Sequence, residues 1–487
     1  MQSRLSLFVK VFVLMVSFLL FGQTIDAGTQ DLNLLREDIE KIVKEQLDGA
    51  EVSISVRQKN SGRLIYSYKG GQAIKPASNM KLLTSAAALD VLGNNYRFKT
   101  QLFTNGKISN GLLKGDLYIR GEGDPTLMKE DLEQFAGKLK AKGVHTVEGD
   151  LFGDDTWFDS ELLTPGIVWD DEPYYYAAPI TALTTSPNTD YDTGTVIVDV
   201  STGSVDTPPT IKVTPYIGEM EIINKAKTVK ETDVNTLDIT RLYKSNQIVV
   251  SGNLPIGKTG REWITVKNPT IHTLSLFQSV LEEAGIQFIS GHTLKVMKTP
   301  KKATLLVEKR SMPLKDIMIP YMKLSNNGIA DILVKTMGQV ERHDGSTKAG
   351  LKVVKSYGKS LKLNMKSWDF EDGSGMSHKN SVTSNALTDM LYKVQKEKSW
   401  YQTYYTSLPV AANAERMIGG SLRNRFKDPL TAGKVIAKTG SLNAVNTLSG
   451  YVQADSGEWY IFSVLVQNKE DTIPVIDKIV TTMAKEL

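Results

Sequence analysis

The chain has 487 residues, of which 41% are hydrophobic, 8% aromatic and 23% charged, a composition that excludes a disordered, collagen-like or polytopic membrane protein. Its formal charge is only +4, from 58 basic and 54 acidic residues in small alternating clusters, which argues against a dedicated nucleic-acid binder. Cysteine is absent, and with it disulfides, thiol nucleophiles, Cys-ligated zinc, iron–sulfur clusters and a lipidated-Cys anchor.

Residues 1–27 read as a cleaved secretory signal: Arg4 and Lys10 flank the start, Val11–Gly22 is apolar, and a polar stretch ends at Ala27. The apolar run is short of the roughly 18–20 residues a spanning helix needs, so the mature protein is expected outside the cytoplasm, in the cell envelope, either soluble or peripherally attached. Leu32, Leu35, Ile39, Ile42 and Val43 have helical spacing. Strands are predicted at Val52–Val56 and Leu64–Tyr68, then a helix over Ser78–Leu92 that Gly93 ends. From about Phe98 to Pro300 the texture changes to short strand-like runs (Lys99–Thr104, Thr195–Val200, Thr210–Pro215, Gln247–Val250, Trp263–Val266), with helical patterns only at Met128–Lys142 and Ile271–Ala284. Helices return at Leu314–Leu324, Ser346–Leu361 and Ser384–Glu397. The chain closes with strands at Lys434–Lys438, Leu448–Gln453 and Trp459–Val466 and a helix over Thr472–Leu487. The order is α+β, then mostly β, then α+β, which predicts one sheet built from both chain ends with the middle inserted.

Three short elements carry chemistry. Ser78-Asn79-Met80-Lys81 opens a helix, Ser325-Asn326-Asn327 follows a helical run, and Lys438-Thr439-Gly440 ends a strand. The i, i+3 spacing of the first places a hydroxyl and an amine on one helical face. A serine hydroxyl is a poor nucleophile until a base takes its proton, and lysine serves as that base only where burial or nearby cations lower its pKa. A helix N-terminus adds N–H donors suited to an oxyanion. Lys-Thr-Gly on a strand offers a cation and a hydroxyl to a carboxylate, with a glycine that lets a backbone lie close.

Each element recurs elsewhere, so none is diagnostic alone. Ser356-Tyr-Gly-Lys359 repeats the first inside a Lys-rich amphipathic helix and reads as solvated surface; Ser186-Pro-Asn188 repeats the second and Lys258-Thr259-Gly260 the third. Gly252-Asn-Leu-Pro-Ile-Gly257-Lys258-Thr259 also matches the phosphate-loop pattern. That motif requires a helix at its Lys-Thr, whereas Gly260 and the alternating Trp263–Val266 predict a β-hairpin turn. The five histidines form no metal-binding pair, and no Gly-x-Ser-x-Gly elbow occurs. The aromatic run Trp169-Asp-Asp-Glu-Pro-Tyr174-Tyr-Tyr176 either anchors a loop or walls a ligand site.

Taken together, the set resembles the penicilloyl serine transferases, the penicillin-binding proteins and serine β-lactamases. The 244-residue separation of Lys81 and Ser325 is similar to that of class C low-molecular-mass penicillin-binding proteins, D-alanyl-D-alanine carboxypeptidases/endopeptidases with two extra domains. Arg120-Gly-Glu-Gly-Asp-Pro-Thr126, Gly149–Asp154, Asp372-Gly-Ser-Gly375, Leu408-Pro-Val410 and Ala437–Ser441 also look like that family. The resemblance implies an α+β penicillin-binding/β-lactamase-like domain over 28–97 and 305–487. An inserted region over 98–304 would form two β-rich subdomains, approximately 98–118 with 190–304, and 119–189. It implies catalysis by Ser78, Lys81 and Ser325: Ser78 attacks the penultimate D-Ala carbonyl, Lys81 acts as base, and Ser325, backed by Lys438, passes a proton to the leaving amine. Asn327 would bind the peptide amide, Thr439 and Ser441 the terminal carboxylate, with Lys438 and Gly440 completing the substrate-binding set and the N–H groups of Ser78 and Ser441 the oxyanion hole. The implied partners are peptidoglycan stem peptides and β-lactam inhibitors, with no metal, cofactor, nucleotide or nucleic acid. β-Lactamase, transpeptidase and a non-catalytic wall-binding protein remain as alternatives.

Overall fold

The computed structural model describes residues 32–216, 220–289 and 291–487; the expected signal at 1–27 lies outside them. The chain divides into two compact units. One holds the N-terminal part through Lys75 together with Val382–Lys393 and Pro409–Leu487, the other Pro76–Ser381 with Val394–Leu408.

The first unit is built on a five-stranded antiparallel sheet in the order Leu64–Tyr68, Glu51–Gln58, Trp459–Gln467, Val445–Gln453, Val435–Leu442. Both chain ends therefore contribute, as the alternating patterns predicted, and the register pairs Ile54 with Val464 and Ser55 with Ser463. One face carries Val52, Ile54, Val56, Phe462, Val464 and Val466. These pack into a core with Leu35, Ile39, Ile42 and Val43 of the helix over 32–46 and with Ile476, Ile479, Val480 and Met483 of the helix Ile473–Glu486. The opposite face of Glu51–Gln58 presents small hydroxyls. Ser53 and Ser55 are fully buried and hydrogen-bond Ser384 and Thr388 at 2.8 Å each, so the helix Ser384–Val394 lies close with its polar groups satisfied.

In the second unit the helix Lys81–Leu92 is buried continuously from Lys81 to Leu89. It has no polar face because helices surround it: Leu314–Lys323, Asn327–Arg342, Thr347–Ser360 and Tyr401–Ser407. Asn327–Arg342 and Tyr401–Ser407 were not distinguished by sequence pattern. Asn327–Arg342 meets Thr347–Ser360 so closely that a Cβ on Gly350 would lie 1.9 Å from the Val334 carbonyl. The region after the first helix begins with strand Lys99–Thr104, which pairs with the returning strand Thr304–Arg310 in a five-stranded sheet. Helices Lys129–Ala141 and Pro269–Glu283 cover that sheet with Leu132, Phe135, Leu274 and Phe277. A separate core of Val196, Val198, Ile248, Val250 and Ile264 joins two three-stranded sheets. No helix among the described residues is long and apolar enough to cross a membrane.

Candidate functional site

Ser78 follows a backbone kink. Ala77, fully buried, sits at φ +45°, a region that costs a non-glycine residue energy and persists where surroundings enforce it. Here Gly375 presses on it from outside the turn: a Cβ on Gly375 would lie 1.9 Å from the Ala77 carbonyl. The chain then winds through a 3₁₀ turn, Ala77–Met80, into the helix that starts at Lys81. This turn brings Lys81 Nζ to 2.9 Å from Ser78 Oγ.

Lys81 is wholly buried. Besides Ser78 it donates to Asn327 Oδ1 at 2.5 Å and to the Ser374 carbonyl at 2.6 Å. Asn327 is the first residue of the helix Asn327–Arg342, where the Asn326 side chain caps the Ile329 N–H at 2.9 Å. Asn327 Nδ2 donates to the Tyr176 carbonyl at 2.8 Å, which orients the amide oxygen toward Lys81 and places the aromatic run beside the site. Ser325 occupies the link between helices Leu314–Lys323 and Asn327–Arg342 in left-handed conformation, φ +61°.

Electrostatics follow from burial. Removal from water pushes the Lys81 ammonium down to about 7, against the pull of Asp331 and Asp372, which favour its charged form. Burial likewise raises both carboxyls, and Asp372 raises Asp331 further by repulsion. Of the two causes the sequence allows, burial and nearby cations, the one acting on Lys81 within this unit is burial. Asp331, Asp372, Ser374 and Tyr176 were all missing from the sequence-based set. Asp331 carries one signal: it lies four residues after Asn327 and so shares its helical face.

Asn327, Asp331 and Lys335 form a stripe along that helix. Asp331 Oδ2 accepts from Thr164 Oγ1 at 2.7 Å, and Lys335 Nζ donates to Asp159 and to the Glu161 carbonyl, both at 2.6 Å. The stripe thus binds the 159–176 segment at three levels.

The third element lies in the other unit, on Val435–Leu442, the last strand of its sheet. Lys438 is fully buried and donates to the Thr439 carbonyl at 2.8 Å; Thr439 Oγ1 donates to Ser421 Oγ at 2.7 Å. Gly440 is paired opposite Thr447, and the exposed Ser441 donates to Asn446 Oδ1 at 3.0 Å. The segment 409–411 covers the early part of the strand's outer edge through Ala411 N to Val435 O and Ala437 N to Pro409 O.

The repeated motifs are structural. Ser356 and Lys359 are exposed, with Ser356 Oγ donating to the Lys352 carbonyl. Ser186 donates to the Pro125 carbonyl. Lys258 N closes a turn on the Pro255 carbonyl, and a strand, Thr259–Thr265, begins where a phosphate loop needs a helix. That turn is not a hairpin: Asn253–Pro255 pairs with Lys227–Val229, and Thr259–Thr265 pairs with Thr195–Ser201. Among the described residues no cluster of three His, Cys, Asp or Glu side chains could hold a metal ion.

The sequence profile of the D-Ala-D-Ala carboxypeptidase 3 (S13) family matches residues 35–486. A D-alanyl-D-alanine carboxypeptidase of Actinomadura sp. (strain R39) is 38% identical over 453 residues, covering 92% of this chain and 84% of that one. In fold, the chain is similar to penicillin-binding protein 4 (DacB) of Haemophilus influenzae, with a TM-score of 0.78 at 24% identity over 92% of this chain and 99% of that one. The structure of the Haemophilus protein in complex with a β-lactam gives a TM-score of 0.73 at 23% identity, over 91% and 98% of the two chains.

Proposed function

This chain belongs to the D-Ala-D-Ala carboxypeptidase 3 (S13) family, and from that premise we propose how its residues perform the reaction. It is a serine-type DD-peptidase of the class C low-molecular-mass penicillin-binding group: it cleaves the D-Ala-D-Ala bond of peptidoglycan stem peptides through an acyl-enzyme on Ser78, and β-lactams acylate it at the same hydroxyl.

One observation supports this assignment above the others. Two of the three partners of Lys81 Nζ, the Asn327 amide oxygen and the Ser374 carbonyl, can only accept. A neutral amine has two hydrogens and one lone pair. With both hydrogens taken, the lone pair is left for the Ser78 hydroxyl at 2.9 Å. Lys81 is then a base aimed at its nucleophile, and burial makes it neutral within reach of physiological pH.

In the first half-reaction Ser78 Oγ bonds to the penultimate D-Ala carbonyl carbon as its proton passes to Lys81. The C–N bond then breaks, and Ser325 relays a proton to the departing D-Ala amine. Water hydrolyses the ester in the second half and restores both groups. Asn327 keeps one Nδ2 hydrogen beyond its bond to Tyr176 for the substrate's peptide carbonyl. Lys438, Thr439, Gly440 and Ser441 are carried over as substrate-binding residues, the two hydroxyls taking the terminal carboxylate. We also propose export to the cell envelope after loss of 1–27, and the division into a 28–97/305–487 catalytic domain with a 98–304 insertion.

Fluorescent-penicillin labelling tests the site. The wild type and Ser356→Ala are expected to label and Ser78→Ala is not; a labelled Ser78→Ala protein overturns the assignment. Rapid, sustained nitrocefin turnover would move the chain to the β-lactamase reading.

A further inference from the structure

We propose that Asp372 is a positioning residue for acylation: it folds the 372–377 turn so that the Ser374 carbonyl takes one hydrogen of Lys81 and turns the amine's lone pair onto Ser78. The proposal rests on the reading of Lys81 as base.

Asp372 is fully buried. Its Oδ1 accepts from Gly375 N at 2.7 Å and from Asn380 Nδ2 at 2.8 Å, and its Oδ2 accepts from Ser377 N at 2.6 Å. One carboxylate thus gathers two backbone donors from the turn that follows it and a side-chain donor, Asn380, from just beyond it. The carbonyls of that turn face the nucleophile helix. Ser374 O accepts from Lys81 Nζ at 2.6 Å, and Gly373 O accepts from Thr84 Oγ1 at 2.8 Å, one residue triplet further along. Gly375 meets the Ala77 carbonyl. The turn therefore fixes the helix at Ala77, Lys81 and Thr84, and Asp372 fixes the turn. The groups around Lys81 in this unit are Ser78, Asn327 and Ser374, with Asp331 and Asp372 as the charges.

Asp331 is a built-in contrast. Its Oδ1 accepts from Gly373 N at 3.2 Å, and its Oδ2 from the Thr164 hydroxyl at 2.7 Å. A hydroxyl can reverse and accept from an amide, so Asp331→Asn keeps both bonds and removes only the charge. Asp372→Asn has no such escape. N–H donors face both of its oxygens, and an amide nitrogen on either side opposes one of them.

The experiment is pre-steady-state acylation by a chromogenic β-lactam, separating the pre-covalent Kd from the acylation rate constant, with labelling stoichiometry at long times. For Asp372→Asn, full stoichiometry and an unchanged Kd are expected, with an acylation rate constant about 100-fold lower, the size expected when a reacting group is displaced by about 1 Å. Asp331→Asn is expected to stay within about fivefold of wild type at its optimum. Because it removes a charge that favours the Lys81 ammonium, the acid limb of its pH profile moves to lower pH. A merely structural Asp372 would lower the stoichiometry and leave the rate constant intact, which overturns the proposal. So does an equal fall in both variants, because charge rather than turn geometry would then be at work. Should Asp372→Asn yield no folded protein, Asn380→Ala, which removes one of the three donors, is expected to slow acylation about tenfold; a wild-type rate there overturns the proposal. A labelled Ser78→Ala protein would sink the Lys81 reading itself and is told apart by that control.

Discussion

Asn327 joins Lys81 to the Tyr176 main chain: its oxygen accepts from Lys81 Nζ at 2.5 Å while its nitrogen donates to the Tyr176 carbonyl at 2.8 Å. The second bond decides the first, because a carbonyl can only accept and so fixes which end of the amide faces the lysine. Asn327→Asp destroys this logic. One carboxylate oxygen would confront the Tyr176 carbonyl, and the new negative charge would favour the Lys81 ammonium and raise its pKa. β-Lactam acylation at pH 7 is expected to fall more than about tenfold, with the acid limb of its pH–rate profile displaced upward. A profile that kept its wild-type position would show that Asn327 does not govern the charge on Lys81.

The wild-type enzyme should itself report Lys81. A base must be neutral to act, and burial has pushed this lysine down to about 7 from the ordinary 10.5. Below that value the neutral fraction falls about tenfold per pH unit, so the acylation rate constant is expected to rise with pH through neutrality and to flatten about one unit above it. Stopped-flow acylation between pH 5.5 and 9 checks this, those limits being set at about 1.5–2 units either side of the value to capture both arms. A rate still climbing steeply at the alkaline end would mean that burial does not tune the amine.

That Ser78 and Lys81 come together was legible in the sequence because their short spacing at a helix start already fixes which side chains share a face, whereas Asn327 reaches Lys81 from a helix the pattern did not distinguish. The terminal sheet was legible for a similar reason: Val52, Ile54 and Val56 alternate with serines, and the closing strands are long and apolar. Asp372 was quoted only as part of a motif. Its role depends on two backbone donors that a tight turn folds back onto it and on the Asn380 amide beyond, a relation with no periodic trace. Asn327–Arg342 was missed as a helix although it buries Ile329, Ile332, Leu333, Val334 and Met337, because the buried Asp331 and Lys335 interrupt its apolar pattern. Gly328 and Gly338 weaken its local propensity, and packing against neighbours supplies what propensity lacks. The phosphate-loop match failed in the opposite sense. Every residue was present, but the backbone after Lys258 runs as a strand.

Gly375 and Gly457 separate the backbone's conformational demand from close approach to the Ala77–Ser78 backbone. Both have positive φ, +92° and +86°, so alanine at either costs about 1–3 kcal/mol in conformational strain. They differ in surroundings: a Cβ on Gly375 would strike the Ala77 carbonyl at 1.9 Å, and one on Gly457 meets nothing within 4 Å. Gly457→Ala is expected to melt lower and acylate normally. Gly375→Ala must shift the Ala77–Ser78 backbone, and its acylation rate constant is expected to fall by about 100-fold or more. Equal acylation by the two variants would show that the turn can move without carrying Ser78.

Lys335 tests the opposite case, a buried charge whose work is mechanical. Its side chain is 2% exposed; it pairs with Asp159 at 2.6 Å, donates to the Glu161 carbonyl and lies 5.8 Å from the Phe158 ring centroid. Lys335→Met preserves the apolar stem and deletes the ion pair. Asp159 remains 30% exposed in its side chain and can turn to water, so the loss is expected at about 1–3 kcal/mol, below that of a fully buried pair. The orphaned Glu161 carbonyl accounts for part of it. Thermal melting should shift down by several degrees, while the acylation rate constant per labelled molecule stays within about threefold of wild type, since no group that touches Ser78 or Lys81 has moved. A large fall in that rate constant with an unchanged melting point would place the 159–161 tether in the chemistry rather than in the scaffold.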